Sequence, residues 1–250
     1  MKSGSICISI VSHGQAALVE RLVDIVLRFP SVGRVIVTKN IPEPMLLTED
    51  SRVCLIENDL PAGFGANHNA AFQFCREPFF CPLNPDIGFL ESPFPTLLRV
   101  FDREPNLALV APLVISPAGE VEDSIRYFPT LSSLLRKVGG KNLVSYTLYA
   151  GAPDFSPDWV AGMFMLFRRS AYETLGGFDE GFFLYYEDVD ICVRAWKAGM
   201  KIKACPSVSV VHDARRESHR NLQYLRWHLF SMARYFWKHW GKLPSIPAMN

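Results

Sequence analysis

The sequence lacks paired cysteine motifs, and neither charge is in marked excess. Its six cysteines, at positions 7, 54, 75, 81, 192 and 205, include no Cys-x-x-Cys pair, so zinc-knuckle and thioredoxin-type redox sites are poorly supported. Most of them lie in apolar segments, as buried free thiols of a reducing compartment do. The formal net charge of the 250 residues is +1, which gives no electrostatic reason to expect nucleic-acid binding.

Long apolar runs and several catalytic motifs are also missing. No window approaches about 18 uncharged apolar residues, the length of a membrane-spanning helix. The first residues do not form a signal peptide, so a cytoplasmic location is expected. The sequence has no Gly-x-Ser-x-Gly or Gly-x-x-x-x-Gly-Lys motif, which argues against a serine hydrolase and a P-loop NTPase. Gly63-Phe-Gly-Ala-Asn-His68 matches half of a dinucleotide fingerprint, because His68 replaces its third glycine, and a Rossmann oxidoreductase is a weak alternative.

What the chain does contain is the alternation of strands and helices typical of an α/β domain. With 250 residues, 49% of them hydrophobic, it can bury one large core. The predicted strands cover residues 6–11, 34–38, 52–57, 79–83, 107–113, 159–168 and 201–211, and the predicted helices cover residues 16–29, 67–75, 93–101 and 191–199. This order predicts a mostly parallel central sheet flanked by helices. Residues 116–158 show no clear period and predict a long binding loop over the sheet.

Polar side chains follow four of the predicted strands, at Ser12, Asn40, Asn58 and Asp86. Ligands of parallel sheets bind at the carboxyl ends of the strands, so these side chains are expected to share a site. Asp86 ends the tripeptide Asn84-Pro-Asp86, whose proline fixes the backbone. A carboxylate in this place suits a divalent cation that also contacts substrate phosphates. His212 closes the last predicted strand and can join the site only if the fold brings it to Asp86.

One segment concentrates acids among aromatic residues. Residues 176–190 contain five carboxylates and five aromatic side chains; the carboxylates are Asp179, Glu180, Glu187, Asp188 and Asp190. Desolvating carboxylates is costly, and the usual reasons to keep them are a general base, a bound cation or a polyhydroxylated ligand. The segment runs into a helical pattern that stops at Gly199. Asp188 and Asp190 are therefore also candidates for simple helix caps.

The C-terminal residues predict a basic, amphipathic helix. Its apolar stripe is Leu222, Leu225, Leu229, Met232, Phe236 and Trp240, and its basic residues are Arg220, Arg226, Arg234, Lys238 and His239. One interpretation packs the stripe onto the domain, as most such stripes do. The other lays the helix on a membrane surface, with its tryptophans at the level of the headgroups.

Taken in order, these motifs resemble one enzyme family. They are Ser12-His13, Gly63-Phe64-Gly65 with Asn69, Asn84-Pro-Asp86, Trp159-Val-Ala-Gly162 with Arg168-Arg169, Gly176-Gly-Phe-Asp-Glu180, Tyr186-Glu-Asp-Val-Asp190 and His212. The set is similar to the inverting family 2 glycosyltransferases of the GT-A fold, and looks most like bacterial rhamnosyltransferase-type members that build O-antigen and related polysaccharides. The resemblance covers residues 6–240 and is most specific over residues 159–199.

The resemblance implies a role for each matched residue. Asp188 matches the catalytic base, and Asp86 matches the last, metal-binding aspartate of the family's Asp-x-Asp signature. His212 matches a late histidine that completes the metal site in some members, so Mg²⁺ or Mn²⁺ is the implied cofactor. Nucleotide-sugar contacts are implied for Ser12, Asn40, Asn58, Gly63, Phe64, Gly65, Asn69, Asn84 and Asp86, and acceptor contacts for Arg126, Trp159, Gly162 and Glu187.

One departure from the family pattern follows the second strand. Family members usually carry Asp-Asn there, and the acid helps to hold the base or the ribose. This chain has Val37-Thr-Lys-Asn40 instead. Lys39 in place of the acid implies either an altered donor or a slipped strand in which Lys39 is a solvated surface residue.

The implied enzyme is an inverting, metal-dependent hexosyltransferase built as one α/β domain. Residues 1–220 form the GT-A-like domain, with a nucleotide-sugar-binding half over about residues 1–115 and an acceptor and catalytic half over residues 116–220, and residues 221–250 form the basic aromatic helix and tail. The leading expectation is transfer of rhamnose from deoxythymidine diphosphate rhamnose to a saccharide or lipid-linked saccharide in cell-surface polysaccharide synthesis. Such acceptors place the enzyme at the cytoplasmic face of the inner membrane, as a peripheral protein.

Two alternatives stay open at this point. A non-catalytic sugar-binding or nucleotide-sugar-binding module on the same fold would bind the donor without transfer, although Asp86 and Glu187-Asp188 are intact. A nucleotidyltransferase that makes the nucleotide sugar would carry a basic, glycine-rich loop after the first strand, to which Ser12-His-Gly-Gln15 is a poor match.

Overall fold

The computed structural model describes residues 4–133, 146–213 and 222–246. The strands in these residues are β1 (Ile6–Ser12), β2 (Val32–Lys39), β3 (Val53–Glu57), β4 (Phe79–Leu83), β5 (Ile87–Gly88), β6 (Leu107–Ile115), β7 (Ile125–Arg126), β8 (Trp159–Val160), β9 (Leu166–Arg168) and β10 (Lys201–His212). The helices are α1 (Ala16–Val26), α2 (Phe64–Phe72), α3 (Phe94–Arg103), α4 (Arg169–Thr174), α5 (Glu187–Lys197) and α6 (Leu222–His239).

The main sheet is mostly parallel, which confirms the predicted fold class. Its order is β3-β2-β1-β4-β9-β6-β10-β5. The four strands from β3 to β4 run parallel, and β6 and β10 form a second parallel pair. β9 lies antiparallel between β4 and β6, and β5 lies antiparallel beside β10 at the edge. The strands β1, β4 and β6 are almost wholly buried, as expected where helices cover both faces.

Alternation along β1 divides the core into two layers. Ile6, Ile8 and Ile10 belong to the apolar cluster that includes the buried residues of α1 and α3. Cys7 belongs to the cluster that includes Ala71 of α2 and the buried apolar residues of α5. Successive side chains of a strand point to opposite faces, so α1 and α3 cover one face of the sheet and α2 and α5 the other.

The prediction of one strand over residues 159–168 is wrong. β8 contains only Trp159–Val160 and pairs with β7 in a separate two-stranded sheet, whereas β9 enters the main sheet at Leu166. Between them, the Ala161 N–H donates to the Ser124 carbonyl, and the Met163 carbonyl accepts the Asn84 N–H. The chain therefore leaves one sheet before it joins the other. A continuous apolar run does not show such a break, because both short strands are buried.

α6 buries a different face from the one that its apolar stripe predicts. Its buried residues are Ser231, Tyr235 and His239. Four members of the predicted stripe are exposed, namely Leu222, Leu225, Leu229 and Trp240. The prediction that the stripe packs onto the domain is wrong for these four. Polar contacts and the packing of Tyr235 and Phe236 in the core hold the helix instead. Within the described ranges, no helix is both long enough and apolar enough to cross a membrane.

Candidate functional site

The carboxyl edge of the sheet brings Asp86 and His212 together. Asp86 lies between β4 and β5, and β10 pairs with β5 so that His212 stands opposite Ile87. His212 Nε2 is 3.3 Å from Asp86 Oδ2, and the Asp213 N–H donates to the Asp86 carbonyl at 3.0 Å. The fold therefore brings His212 to Asp86, which was the condition for His212 to join the site.

The groups at this edge fit a divalent cation. Carboxylate oxygen suits Mg²⁺ and Mn²⁺, and imidazole nitrogen suits first-row transition metals. Asp86 Oδ1 is buried without a hydrogen-bond partner among the residues that the structure describes, although buried polar atoms are normally paired. A cation held by Asp86 would satisfy this oxygen. Metal binding by Asp86 and His212 stays a prediction.

A third group at the same edge, Glu122, was not predicted from the sequence. Glu122 Oε2 lies 2.6 Å from His212 Nδ1. Burial alone would lower the pKa of His212, but its contacts with Asp86 and Glu122 outweigh burial and raise that pKa to about 9. The two carboxylates therefore favour positive charge between them. Glu122 lies in residues 116–158, which show no helical or strand periodicity. No sequence pattern therefore distinguishes it from the other acidic residues of that segment.

Asp188 lies in the first turn of α5, where two backbone N–H groups fix its carboxylate. The Gly162 N–H donates to Oδ2 at 2.9 Å, and the Val189 N–H donates to Oδ1 at 2.8 Å. Burial raises the pKa of Asp188; these N–H groups and the charge of Arg126 oppose the rise without cancelling it. A rigid carboxylate with a raised proton affinity suits general-base chemistry. The N-cap residue of α5 is Tyr186, so Asp188 is not the cap itself, although its bond from the Val189 N–H lies in the first turn.

A short path of backbone contacts joins Asp188 to the carboxyl edge. The Asn84 N–H donates to the Met163 carbonyl at 3.0 Å, and the neighbouring Gly162 binds Asp188. Asn84 stands two residues before Asp86 in the chain. Backbone hydrogen bonds therefore connect the segment of the predicted base to the segment of the predicted metal ligand.

Glu187, the neighbour of Asp188, is only 5% exposed. Its Oε2 atom is buried and has no hydrogen-bond partner in the described part of the chain. Burial and the charge of Asp188 raise the pKa of Glu187 well above its usual range. Burial thus raises the pKa of both neighbouring carboxyl groups. Contact of Glu187 with an acceptor stays a prediction.

Two tyrosines before α5 have an unusual backbone. Tyr185 and Tyr186 both have a φ of 69°, a region that costs a residue other than glycine about 1–2 kcal/mol. The Tyr186 ring lies 5.3 Å from that of Tyr235 on α6, and the Ser231 hydroxyl donates to the Leu184 carbonyl at 2.8 Å. α6 therefore stabilises a strained turn that sets the direction of Glu187 and Asp188.

α6 also binds the fully buried Asp190. Lys238 Nζ and His239 Nε2 lie 2.7 Å and 2.8 Å from Asp190 Oδ1, and Arg194 Nε lies 2.7 Å from Oδ2. Burial alone would raise the pKa of Asp190. The hydrogen bond from His239 and the charges of Arg194 and Lys238 instead hold that pKa far below its usual range.

Asp179 is a second acid that α6 binds. Its carboxylate pairs with Arg234 at 3.0 Å and with Lys238 at 2.6 Å. Three of the five basic residues that the sequence offered to a membrane surface, Arg234, Lys238 and His239, thus point into the protein. The exposed side of α6 is more apolar than the sequence predicts.

Residues predicted to bind the nucleotide gather at the ends of β1, β2 and β3. Asn40 Oδ1 accepts from Asn58 Nδ2 at 3.0 Å and from the Ala62 N–H at 2.8 Å. Asn58 Nδ2 also donates to Asn67 Oδ1 at 2.7 Å. Ser12 is fully buried, and its Oγ has no partner among the residues in the described ranges. Asn40 and Asn58 therefore shape the loop before α2, and Asn67, which the sequence analysis missed, completes their network.

Gly63 and Gly65 allow α2 to approach the acidic segment closely. α2 begins at Phe64, three residues before its predicted start. A Cβ atom on Gly63 would lie 2.6 Å from the Phe183 carbonyl oxygen, and one on Gly65 would lie 2.7 Å from Phe178 Cβ. Their contacts with a nucleotide, and that of Phe64, stay predictions, but both glycines also have this packing role.

Asn69 stabilises the same segment. Its Oδ1 accepts from the Tyr172 hydroxyl and the Phe178 N–H, and its Nδ2 donates to the Phe178 carbonyl and to Glu180. These bonds use all four positions of the amide. A nucleotide contact of Asn69 stays a prediction and would require one of these bonds to break.

Arg126 and Trp159 face each other across the β7–β8 pair. The Arg126 guanidinium lies 5.4 Å from the centre of the Trp159 ring. Trp159 is 5% exposed, and its Nε1–H donates to the Tyr127 carbonyl at 2.9 Å. Packing therefore covers most of the Trp159 ring, and its contact with an acceptor stays a prediction. Arg126 and Gly162 lie next to Asp188, and their acceptor contacts stay predictions.

Lys39, the departure from the family pattern, lines a cavity of about 560 Å³ at the ends of β2 and β3. Its Nζ atom forms an ion pair with Glu57 on β3, and its side chain is 17% exposed. β2 pairs with β1 so that Lys39 stands opposite Ser12. Lys39 is therefore at the carboxyl edge, and the idea of a slipped strand with a fully solvated lysine is wrong.

Comparison with known sequences finds one family and several relatives. The model of the glycosyl transferase family group 2 matches residues 91–240. The chain is 29% identical over 247 residues to rhamnosyltransferase WbbL of Escherichia coli (strain K12), covering 91% of each. It is 34% identical over 151 residues to N-acetylglucosaminyl-diphospho-decaprenol L-rhamnosyltransferase of Mycobacterium tuberculosis (strain ATCC 25618 / H37Rv), covering 55% of this chain and 48% of that relative. The chain thus spans nearly all of the first relative and about half of the second.

Solved structures resemble the fold over most of the chain. GalNAc-T7 with UDP, GalNAc and Mn²⁺ has a TM-score of 0.67 and 14% identity, covering 87% of this chain and 44% of that one. Mannosyltransferase PcManGT from Pyrobaculum calidifontis, in complex with GDP-Man and Mn²⁺, has a TM-score of 0.59 and 17% identity, covering 92% and 64%. At these identities the likeness shows the fold.

Proposed function

Because the chain belongs to the glycosyl transferase family group 2 and has the GT-A fold, we propose that it transfers a sugar from a nucleoside diphosphate donor to an acceptor hydroxyl with inversion at the anomeric carbon. The family expected from the sequence motifs is confirmed by the match over residues 91–240. The proposal depends above all on the buried carboxylate of Asp188, fixed by two N–H groups beside the loop that leads to Asp86.

Asp188 is the general base of this reaction. It accepts the proton of the acceptor hydroxyl as that oxygen attacks the anomeric carbon, on the face opposite the leaving diphosphate. A single displacement inverts the anomeric centre and forms no covalent bond to the enzyme. A base of this kind supplies about 10²–10⁴-fold in rate. The Gly162 and Val189 N–H groups hold the carboxylate in place without neutralising it.

Asp86 and His212 would hold the divalent cation. When bound, the cation neutralises charge on the leaving nucleoside diphosphate. The mixed donor set favours Mn²⁺ over Mg²⁺, because imidazole nitrogen is a poorer ligand for Mg²⁺ than oxygen is. The orphaned Asp86 Oδ1 atom supports this assignment.

The leading donor is deoxythymidine diphosphate rhamnose, supported by the similarity to two rhamnosyltransferases. The nucleotide lies at the ends of β1, β2 and β3, where the Asn40–Asn58–Asn67 network fixes the loop before α2. Lys39 and Glu57 line the cavity at this edge and contact the base or the ribose. The acceptor is a saccharide or lipid-linked saccharide of cell-surface polysaccharide synthesis, supported by the name of the mycobacterial relative.

A panel of nucleotides tests the donor and cation sites together. Thermal unfolding is measured with deoxythymidine, uridine, guanosine and cytidine diphosphates, each with and without Mn²⁺ or Mg²⁺. Ligand at a hundredfold excess over Kd stabilises a protein by about 2.7 kcal/mol. We expect a shift with one nucleotide that depends on the metal. A folded protein that responds to none of these nucleotides, with either metal, would contradict the proposed function.

The enzyme works on the cytoplasmic face of the inner membrane, with α6 in peripheral contact with it. The exposed side of α6 carries Leu225 at 53%, Leu229 at 49%, Phe230 at 67%, Trp237 at 83% and Trp240 at 63% exposure. Aliphatic and aromatic side chains on one side of a helix insert into the headgroup boundary of a bilayer.

Removal of residues 221–250 is a poor test of this contact, because α6 contributes buried Tyr235 and His239 to the domain. The double substitution Leu229→Glu/Phe230→Glu leaves those residues in place. We expect the wild type to sediment with vesicles of phosphatidylethanolamine and phosphatidylglycerol, and the double variant to stay in the supernatant. Phe74→Glu, at a residue that is 49% exposed elsewhere, is the matched control and should sediment normally. Equal sedimentation of all three proteins would exclude this surface.

A further inference from the structure

Glu122 stands on a hairpin anchored to the buried strand β6. Its N–H donates to the Val114 carbonyl at 2.9 Å, and its carbonyl accepts the Ser124 N–H at 2.9 Å. Ile115 and Val121 form an antiparallel bridge beside it. Val114 is 2% exposed, so the backbone of Glu122 is tied to the core of the sheet rather than carried on a free loop.

His212 lies between this hairpin and Asp86. β10 pairs with β6 on one side, where Val211 stands opposite Ile115, and with β5 on the other. The two sides present one carboxylate each: Glu122 Oε2 lies 2.6 Å from Nδ1, and Asp86 Oδ2 lies 3.3 Å from Nε2. The three side chains are 13–25% exposed, so water competes only partly for these contacts.

We propose that Glu122 is the positioning residue that sets the ring orientation and tautomer of His212, so that Nε2 faces the divalent cation held with Asp86. This inference rests on the proposed function, because it concerns the same cation. A bound cation would replace the proton of Nε2; with Nδ1–H donated to Glu122, the lone pair of the ring is then on Nε2. A ligating histidine almost always donates its other ring N–H to such a partner.

His212 Nε2 and Asp86 Oδ2 face each other at 3.3 Å, so both atoms could bind one cation at this edge. Glu122 contacts Nδ1, whereas Asp86 contacts Nε2, so we expect the effect of Glu122 on the cation to pass through His212.

The first test measures Mn²⁺ binding to the full chain by the electron paramagnetic resonance signal of free Mn²⁺. Loss of the hydrogen-bond partner of a ligating histidine costs about 10–100-fold in metal affinity, so Glu122→Ala should raise the Kd by that factor. Glu120→Ala, at an exposed acid on the same hairpin, is the matched control and should bind as the wild type does. Equal Kd values for Glu122→Ala and Glu120→Ala would overturn the inference.

A double variant separates a positioning role from direct ligation. His212→Ala removes the ring on which Glu122 acts. If Glu122 affects Mn²⁺ binding only through His212, adding Glu122→Ala to this variant should change the Kd by less than about twofold. A further tenfold loss, on the order of the single-variant effect, would show that Glu122 binds the cation directly and would overturn the proposal. Circular dichroism checks each fold, and Glu122→Gln replaces any Glu122→Ala variant that fails to fold.

The outcome for the wild type separates this inference from the proposed function. A wild type that binds no Mn²⁺ would contradict the cation site itself, and the inference would fail with it. If the wild type and Glu122→Ala bind Mn²⁺ with the same Kd, only the positioning role of Glu122 is contradicted.

Discussion

Asp190→Asn should destabilise the domain strongly, although Asp190 touches neither predicted substrate. The carboxylate is fully buried and binds Arg194, Lys238 and His239. The substitution keeps the shape of the side chain and removes its charge. Breaking a buried charge pair from one side costs about 3–5 kcal/mol, because the remaining charge is left uncompensated.

The structure places this variant at the lower end of that range. Arg194 keeps hydrogen bonds to the carbonyls of Leu175 and Gly177, and Lys238 keeps Asp179. We therefore expect a loss of about 3 kcal/mol. For a domain of this size the loss lowers Tm by about 6–12 °C.

The assay is thermal unfolding followed by circular dichroism, together with urea unfolding at fixed temperature. Glu173→Gln is the control, because Glu173 forms only an exposed pair with Arg169 at 3.9 Å, and such pairs contribute less than about 1 kcal/mol. A Tm for Asp190→Asn within about 2 °C of the wild type would refute the account of α6 as a helix held by buried charge.

The same cluster gives a pH dependence whose sign follows from the lowered pKa of Asp190. A carboxylate with a lowered folded-state pKa stabilises the protein above its unfolded pKa of about 3.9, and this stabilisation is lost as the pH falls further. Arg194 on α5 and Lys238 and His239 on α6 contact this carboxylate, and the charges of Glu187 and Lys197 on α5 also interact with it. The gap in stability between wild type and Asp190→Asn should be constant from about pH 7 to 5 and narrow below about pH 4. A gap that stays constant down to about pH 3 would assign the stabilisation to another group.

Two further variants test the packing around α2. Gly63→Ala should lower the free energy of unfolding by about 1–3 kcal/mol, because its Cβ would lie 2.6 Å from a backbone oxygen of Phe183. Gly88→Ala is the control: its Cβ would meet nothing nearer than 3.7 Å, so the free energy from urea unfolding should change by no more than about 1 kcal/mol. Equal effects of the two variants would contradict the close approach at Gly63. Burial lowers the pKa of His68 to about 3, so neutral His68 stabilises the fold above about pH 6.5 and this contribution fades as the pH falls towards that lowered value. Between pH 6 and 5 the wild type should lose about 1.2 kcal/mol more than His68→Phe, and parallel pH profiles would exclude a buried neutral histidine.

The order of the main elements could be predicted because local pattern and tertiary position agree along most of the chain. Apolar strands such as Phe79–Leu83 end at polar residues, and the parallel arrangement places those residues at one edge. The proximity of Asp86 and His212 could not be predicted from the sequence, because it depends on the antiparallel pairing of β5 and β10 at the edge of the sheet. No local signal in the sequence fixes that pairing.

Three features were beyond sequence reasoning for physical reasons. α6 is oriented by Asp179 and Asp190, which lie about fifty residues before their partners in the chain. Its own apolar period therefore indicates the wrong face. The run from residue 159 to 168 is apolar on both sides of its break at Gly162, because two different sheets bury its ends. Glu122 becomes distinctive only through its contact with His212, ninety residues away.

The central claim is that Asp188 removes the acceptor proton in a direct displacement. Its most direct test is the comparison of wild type and Asp188→Asn in two assays, sugar transfer from the donor that the nucleotide panel identifies and binding of that donor. The account predicts a rate of transfer lower by about 10²–10⁴-fold, with donor affinity close to that of the wild type and a product of inverted anomeric configuration from the wild type. Transfer by Asp188→Asn at the wild-type rate would contradict the account.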